Sequence, residues 1–209
     1  MNKTEIRESI YAGLLPIMSD KGYRLLRNDQ SFVRTISEGK QAIGIPIIDH
    51  NPNYKLSLTA SVRINRVEDI VHLFSGSPEK YHNATFTFGC TLDRFIPDQG
   101  SFNIRTFDDI EQTISRLAQV VRDQTLPFLD DHQELETLSK AMNLTALPDI
   151  VSGASPAMHA AVVARLTNNP GFLSIVTGYR ERMSRLPKDF QERFDALVHY
   201  LNTALVDKS

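Results

Sequence analysis

The chain has 209 residues, of which 41% are hydrophobic, so it can bury a substantial core and is not a globally disordered protein. Its 23 basic and 25 acidic residues leave a formal net charge of −2, so bulk charge supplies no drive towards nucleic acid or an anionic membrane. One cysteine excludes an intrachain disulfide. The single cysteine, the charged N-terminus and the lack of a run of about 18 apolar residues together predict a cytoplasmic protein.

The first part of the chain predicts a helix followed by a series of short strands. Apolar residues at helical spacing from Lys3 to Asp20 favour a helix, and Gly22 is suited to a left-handed conformation at its end. Strand-like segments follow at 23–27 and 31–36, where they flank a hairpin-like turn, and again at 41–48.

The clearest strand pattern in the chain runs from Tyr54 to Ile64. Apolar and polar residues alternate there without interruption, which predicts one strand with an apolar face and a face of Ser, Thr, Lys and Arg. A second alternation over 84–92 predicts another strand, with Cys90 among its apolar residues, and 102–104 predicts a short last strand.

Two similar corners, each with a pair of adjacent acids, lead from predicted strands into predicted helices. Asn65 and Glu68 form an N-x-x-E pattern, and Thr106 and Asp109 form the closely related T-x-x-D pattern. Acids in a first helical turn also interact favourably with the helix dipole. We therefore interpret both acidic pairs as helix starts rather than as paired catalytic carboxylates, and no catalytic residue is predicted.

Other potential sites have ordinary structural interpretations. Cys90 lies on the apolar face of its predicted strand, so it is expected to be buried rather than to act as a nucleophile. His72 and His132 each lie four residues from a glutamate, but no HExxH motif or cysteine ligands accompany them, so neither a metal nor a cofactor is predicted. The basic segment Arg180–Lys188 is interrupted by Glu181, which favours a solvated helix face.

After residue 131 the strand signals end, and helical patterns continue towards the C-terminus. The sequence therefore predicts an α+β fold. A mainly antiparallel β-meander flanked by helices is expected in residues 1–131, and an all-helical C-terminal subdomain in residues 132–209.

Residues 5–129 also carry an ordered series of short motifs. A helix ends in a Gly-aromatic pair at 22–23, an aromatic-x-Arg strand follows at 32–34, and a T-x-[DE]-D-I corner at 106–110 precedes an LPFL segment at 126–129. In this order the chain resembles a group of small bacterial cytosolic proteins, some of which are similar to immunity proteins that bind and block toxins. The resemblance implies a non-enzymatic, protein-binding function, and it defines no catalytic residue.

A protein of this kind needs a binding surface that the fold does not use for its own core. The polar faces of the two clearest predicted strands are the candidate, and they contain five residues expected to bind a partner protein: Lys55, Thr59, Arg63, Thr85 and Thr87. Two alternatives remain open. One is a small-ligand binder or an enzyme with a site between the sheet and the C-terminal helices, and the other is a nucleic-acid-associated regulator that uses the basic segment Arg180–Lys188.

Overall fold

The computed structural model describes residues 2–97, 99–143 and 155–203, with the backbone alone for Ser155. The helices in these ranges are α1 (Lys3–Asp20), α2 (Asn65–Ser75), α3 (Leu92–Phe95), α4 (Phe107–Val120), α5 (Leu126–Asp131), α6 (Leu135–Asn143), α7 (Ser155–Leu166), α8 (Phe172–Met183) and α9 (Lys188–Thr203), with a 3-10 helix at Glu79–Ala84 and a π-helical turn at Val121–Thr125. The strands are β1 (Arg24–Leu26), β2 (Ser31–Ile36), β3 (Gly39–Gly44), β4 (Ile47–His50), β5 (Asn53–Leu56), β6 (Thr59–Ile64), β7 (Phe88–Thr91) and β8 (Phe102–Ile104). Antiparallel strand pairs together with helices confirm the predicted α+β fold.

The chain divides into two compact units, each formed from two stretches of sequence. Unit 1 comprises Met1–Val62 and Gly89–Asp131, and unit 2 comprises Arg63–Phe88 and His132–Ser209. The sequence-based division also has a boundary after residue 131, but it assigns residues 63–88 to the first domain. Those residues include α2, which packs against α7 and α9, and this packing is the physical reason for the difference.

The strands form two sheets that lie mainly in unit 1. One has five strands in the order β1-β2-β3-β6-β7, and the other has three in the order β4-β5-β8. The segment predicted as one strand from Tyr54 to Ile64 is two strands, β5 and β6, in different sheets, so its predicted continuity is wrong. Its predicted apolar face is buried from Leu56 to Ile64, where the apolar residues at alternate positions are all buried, whereas Tyr54 is only partly buried.

The change of sheet has a local cause at Pro46. This residue separates β3 from β4, and it has no N–H with which to continue a ladder of hydrogen bonds. Directly across, the Ser57 N–H donates to the Pro46 carbonyl oxygen at 3.1 Å, and Ser57 lies between β5 and β6. Both chain segments therefore pass from one sheet to the other at the same level.

The end of α1 follows the prediction from sequence. Gly22 adopts a φ of 76°, a left-handed conformation in which glycine meets no steric penalty. The buried face of α1 consists of Ile6, Ile10, Tyr11, Leu14 and Met18, and the helix packs against α4.

The two acidic corners differ, although their sequences are alike. Before α4, Thr106 Oγ1 accepts from the Asp109 N–H at 3.2 Å, and Asp109 Oδ2 accepts from the Thr106 N–H at 2.8 Å, so the predicted capping box is confirmed. Before α2, the N-cap residue is Ile64, and no side chain caps the helix. Asn65 lies inside the helix and Glu68 is 0% exposed, so the cap predicted for this pair is wrong.

The core of unit 2 is made by helices. α7 packs against α2, α6, α8 and α9, and every residue from Ala157 to Ala164 is at most 5% exposed. A helix that is apolar on all sides suits this central position. In the described part of residues 132–209 all regular elements are helices, as predicted. His159 is the one ionisable side chain in the fully buried stretch Ala157–Ala164.

Candidate functional site

The five residues predicted to bind a partner do not share one exposed face. In unit 1, Lys55 on β5 and Thr59 on β6 are partly exposed. In unit 2, Thr85 is partly exposed, but Arg63 and Thr87 are only 6% and 4% exposed. The expectation that Arg63 and Thr87 face solvent is therefore wrong, and the reason is that both take part in a buried polar cluster around Glu68. Partner binding by this set stays a prediction.

Glu68 is the centre of this cluster. Its side chain is 0% exposed on the inner face of α2. Oε1 accepts hydrogen bonds from Thr87 Oγ1 at 2.7 Å and from His159 Nε2 at 2.9 Å. Oε2 accepts from Thr85 Oγ1 at 2.6 Å. Because charged groups are stable in a protein interior only when they are paired and hydrogen-bonded, these contacts are what permits a carboxylate at this position.

Arg63 supplies the opposite charge. Its Nη1 lies 3.7 Å from Glu68 Oε2, and its side chain is 7% exposed. The same Nη1 donates to the His82 carbonyl oxygen at 2.7 Å and to Thr85 Oγ1 at 2.8 Å, and Nε donates to Asn65 Oδ1 at 3.0 Å. The guanidinium thus neutralises Glu68 and also ties the chain around residues 82–85 to the end of β6.

The hydrogen bonds determine where the protons lie. An ionised carboxylate only accepts, so the hydrogen between His159 and Glu68 is on His159 Nε2. Thr85 Oγ1 lies 2.6 Å from Glu68 Oε2 and 3.0 Å from the His82 carbonyl oxygen, and both of these oxygens only accept. The Thr85 hydrogen is therefore used towards them, with Glu68 the shorter contact, so His72 Nε2 is the donor in its 3.0 Å contact with Thr85 Oγ1. His72 Nδ1 is buried and has no hydrogen-bond partner among the described residues, which fits an unprotonated nitrogen.

The acidities follow from these surroundings. Burial by itself raises the pKa of Glu68, but the hydrogen bond and charge of His159 and the hydrogen bonds of Thr85 and Thr87 outweigh it and hold the pKa at about 2. The pKa of His72 is lowered from its usual value, first by burial and then by the nearby His82 ring. Glu68 is therefore an anion and His72 a neutral ring near neutral pH.

A hydroxyl beside a carboxylate and an imidazole is also the arrangement of many nucleophilic enzymes. Here the Thr85 oxygen has no capacity left for such a role, because its hydrogen is held by Glu68 and it accepts from Arg63 and His72. The cluster balances charge and fixes α2, α7 and the end of β6 within unit 2. The observed contacts of the cluster therefore indicate a structural role.

A second buried polar cluster lies in unit 1 around Gln41, which is 0% exposed. Gln41 Oε1 accepts from Tyr23 OH and from Arg34 Nη2, each at 2.6 Å, and Gln41 Nε2 donates to the Leu129 carbonyl oxygen at 2.7 Å. Arg34 also binds Asp130. The Gly-aromatic pair, the aromatic-x-Arg strand and the LPFL segment, which are far apart in sequence, thus meet at one glutamine, and these motifs are structural.

The outer face of the three-stranded sheet is different, because no side-chain hydrogen bond or ion pair is found for Ile48, Lys55 or Asn103 within the part of the chain that the structure describes. Strand register places Ile48, Lys55 and Asn103 side by side, and we call these three residues the Lys55 row. Ile48 is 52% exposed, Lys55 is partly exposed and Asn103 is exposed. The adjacent row on the opposite face, Ile47, Leu56 and Phe102, is buried.

Of the remaining candidates, Cys90 and His132 pack against other residues, whereas Arg182, Arg185 and Lys188 of the basic segment are exposed. Cys90 is 5% exposed, which confirms its predicted burial, and burial raises the pKa of its thiol to about 12. His132 stacks on Phe88 with ring centroids 5.2 Å apart. In the basic segment, Arg180 binds Asp195 at 2.7 Å and Arg182 lies over the Tyr179 ring.

The described residues contain no group of three or more His, Cys, Asp or Glu arranged to hold a metal ion. Among the helices in the described ranges, none is both long enough and apolar enough to cross a membrane. Comparison of the chain with protein-family models, with curated proteins and with solved structures finds no match. The resemblance to immunity-type proteins therefore stays a prediction from sequence.

The Glu68 cluster is the feature that sequence reasoning missed. The signal in the chain was the arginine at position 63, because a cation at the end of an otherwise well-patterned strand needs either solvent or a counter-charge. The capping pattern instead assigns Glu68, five residues later, to a helix cap.

Proposed function

We propose that this chain is a non-enzymatic module of the bacterial cytoplasm that acts by binding another protein, and that the Lys55 row is its binding surface. The observation that carries the proposal is the row itself. It presents an exposed isoleucine, a cation and an amide across three paired strands, while the row beside it on the opposite face fills the core. The 52% exposed Ile48 is therefore flanked by polar side chains on a regular strand surface, and an apolar centre beside polar groups is the composition of many protein interfaces.

The state of the Glu68 cluster supports a non-enzymatic function. Catalysis by a hydroxyl needs a free lone pair directed at a substrate and a base that can take its proton. The Thr85 hydroxyl is held on all sides by Arg63, Glu68 and His72, and Glu68 is 0% exposed. A substrate would have to break a buried ion pair to reach this oxygen.

The chemistry of the Lys55 row indicates an acidic protein partner. Lys55 lies at the centre of the row between Ile48 and Asn103, and the exposed Arg105 follows β8 directly. A carboxylate on the partner would bind the Lys55 ammonium group, while an apolar side chain would cover Ile48. The resemblance of residues 5–129 to immunity-type proteins supports the same class of function.

A site-specific photo-crosslinker tests this surface directly. A benzophenone amino acid replaces Ile48 in the full chain, which is expressed in the cells that encode it and irradiated. A covalent adduct with a defined protein is expected at position 48. The matched control carries the same group at Leu15 on α1, which is 42% exposed, and should give no such adduct. Equal labelling at both positions, or none at either, contradicts the proposal.

Charge reversal gives a second, independent measurement. Lys55→Glu should weaken binding of the crosslinked partner by tenfold or more, on the order of 1.4 kcal/mol, because one attraction becomes a repulsion. Arg24→Glu is the matched control, since it makes the same reversal on the exposed edge strand β1 of unit 1. Unchanged affinity for Lys55→Glu, or an equal loss for Arg24→Glu, would place the surface elsewhere.

A further inference from the structure

Strand β8 forms one edge of the three-stranded sheet, in which it pairs with β5. A strand at a sheet edge presents main-chain N–H and C=O groups along its outer side, and such an edge can pair with a strand of another chain. We propose that the partner protein adds an extended acidic segment antiparallel to β8, as a fourth strand of this sheet. Strand addition rests on the function proposed above and specifies how that partner is bound.

One contact fixes the direction in which the main-chain groups of the sheet point. The Ser57 N–H donates to the Pro46 carbonyl oxygen, and these two residues continue the register of β4 with β5. Hydrogen-bonded pairs recur at every second position of an antiparallel ladder, so the main-chain groups of Lys55 also point to β4. The groups of its neighbour Leu56 therefore point the other way, to β8, where Leu56 is paired with Phe102.

The same alternation continues along β8. The main-chain groups of Phe102 point to β5, so those of Asn103 point away from the sheet. Gly100 also faces the β5 side, because its carbonyl oxygen accepts from Ser57 Oγ at 2.9 Å, and Ser101 therefore shares the outward direction of Asn103. Asn103 is exposed and Ser101 is partly exposed. Outside the pairing with β5, no backbone hydrogen bond is found for either residue within the described part of the chain.

The opposite edge of the sheet, at β4, is less suited to an acidic strand. By the same alternation, its outward main-chain groups belong to Ile47 and Asp49. Ile47 is 2% exposed, so another strand does not reach its main chain. Asp49 is exposed and places a carboxylate at that edge, which would repel an acidic segment. The edge that fits the proposed partner is therefore β8.

Lys55 gives the added strand its preference for acidic side chains. In the Lys55 row, its side chain lies beside that of Asn103 on the outer face. Strands are spaced about 5 Å apart, so a residue opposite Asn103 on the added strand lies about 10 Å from Lys55, a distance that two long side chains can span. A glutamate at this position can thus form a charge-assisted hydrogen bond with the ammonium group. Strand addition therefore extends the row from Ile48 into the partner.

A defined peptide tests strand addition on the unmodified full chain. The probe is a blocked octapeptide of alternating threonine and glutamate, and its binding is followed by NMR titration. The Ser101 and Asn103 amides should shift and gain protection from exchange, whereas the amides of α8 should not change. The same peptide with lysine in place of glutamate should bind at least tenfold more weakly. No binding of the glutamate peptide, or equal binding of the two peptides, overturns the inference.

N-methylation of the peptide tests the direction of its hydrogen bonds. In an antiparallel pair, the residue opposite Asn103 has its side chain on the same face as Asn103, and its main-chain groups point to β8. Since Lys55 favours the glutamates on that face, methylation of the glutamate nitrogens should abolish binding, whereas methylation of the threonine nitrogens should change affinity by less than about threefold. Equal effects of the two methylation patterns overturn strand addition.

A substitution at the edge tests the same hydrogen bonds from the side of the protein. Asn103→Pro removes the outward N–H and leaves the ladder with β5, because proline is tolerated at an edge whose N–H faces solvent. Asn103→Ala is the matched control, since it removes the same side chain and keeps the N–H. The proline variant should bind the glutamate peptide at least tenfold more weakly than the alanine variant, and equal affinities overturn the inference. If the proline variant does not fold, the methylated peptides decide on the unmodified chain.

The proposed function fails by different results. It depends on the crosslink at position 48 and on the loss of partner affinity in Lys55→Glu. If both are found while the two methylated peptides bind equally, the Lys55 row binds the partner without strand addition, which overturns this inference alone. If neither is found, the row is not the binding surface, which overturns the proposed function and strand addition with it.

Discussion

Replacing Glu68 by glutamine tests whether the buried cluster stabilises unit 2 as its contacts indicate. The amide keeps the shape of the side chain but removes its charge and places an NH₂ group where one oxygen accepted hydrogen bonds. If the NH₂ replaces Oε1, it meets the donors of Thr87 and His159, and if it replaces Oε2, it meets those of Thr85 and Arg63. In either orientation, the amide NH₂ group of the glutamine faces buried hydrogen-bond donors that have lost their acceptor.

The expected loss of stability follows from two estimates that agree. Lowering the pKa of Glu68 from its ordinary 4.5 to about 2 corresponds to about 3 kcal/mol of favourable interaction with the ionised form. Breaking a buried ion pair by removing one partner typically costs about 3–5 kcal/mol. Glu68→Gln should therefore destabilise unit 2 by roughly 3–5 kcal/mol.

The assay needs a signal specific to unit 2. The chain contains no tryptophan, so global unfolding in urea is followed by far-ultraviolet circular dichroism, and native-state hydrogen exchange of α2 and α7 reports on unit 2. Asp69→Asn, at the next and exposed position of α2, is the matched control and should change stability by no more than about 0.5 kcal/mol. A loss below about 1 kcal/mol for Glu68→Gln, close to that of the control, would refute a charged, paired carboxylate in the core.

Three further predictions concern acid stability, helix capping and the thiol. Because the folded pKa of Glu68 lies below its unfolded value, the stability that its carboxylate contributes is complete above about pH 4.5 and is lost as the pH falls towards 2. The free energy of unfolding should therefore fall less steeply with acid in Glu68→Gln than in the unmodified chain. An acid profile unchanged by the substitution would contradict this sign. Thr106→Ala should cost about 1 kcal/mol in urea unfolding, because the Asp109 N–H loses its acceptor; Thr106→Ser should keep most of that stability, and equal losses for both would argue against the cap. Cys90 should react slowly with a thiol reagent in the native chain and rapidly in denaturant, because burial raises its pKa to about 12, and rapid native labelling would show that it is accessible.

The parts of the fold that sequence predicted are those decided by local chemistry. The helix Lys3–Asp20 has apolar residues at helical spacing and a glycine after its end. Residues close together in the sequence therefore determine both which face of the helix is buried and where the helix ends. Alternation from Leu56 to Ile64 predicted the burial of the apolar side chains, because the two-residue period of an extended chain holds even across a break between strands, but it did not predict the burial of Arg63. Cys90 was placed correctly for the same reason.

The parts that sequence did not predict depend on contacts between distant segments. The change of sheet at Ser57 requires the Pro46 carbonyl as a partner, and nothing in the alternating pattern reveals it. Around Thr87 the expected alternation fails, because residues up to Ala84 form a 3-10 helix and β7 begins only at Phe88. A polar threonine is then buried, since its hydroxyl donates to Glu68 and accepts from the Ile64 N–H at 2.9 Å.

The two acidic corners show why a local pattern alone does not assign a role to a carboxylate. Asp109 and Glu68 occupy equivalent positions in similar sequences, yet Asp109 bonds to backbone N–H groups one turn back, while Glu68 bonds to His159, 91 residues later in the chain. Capping stabilises a helix start by about 1 kcal/mol, whereas a buried arginine without a counter-charge costs several times more. Because Arg63 is buried, pairing it with a carboxylate stabilises the fold more than capping α2 would. Glu68, the nearest acid in sequence, is therefore buried beside Arg63 and does not cap the helix. The position of the cation, rather than the capping pattern, is therefore the better guide to which of two such acids is buried.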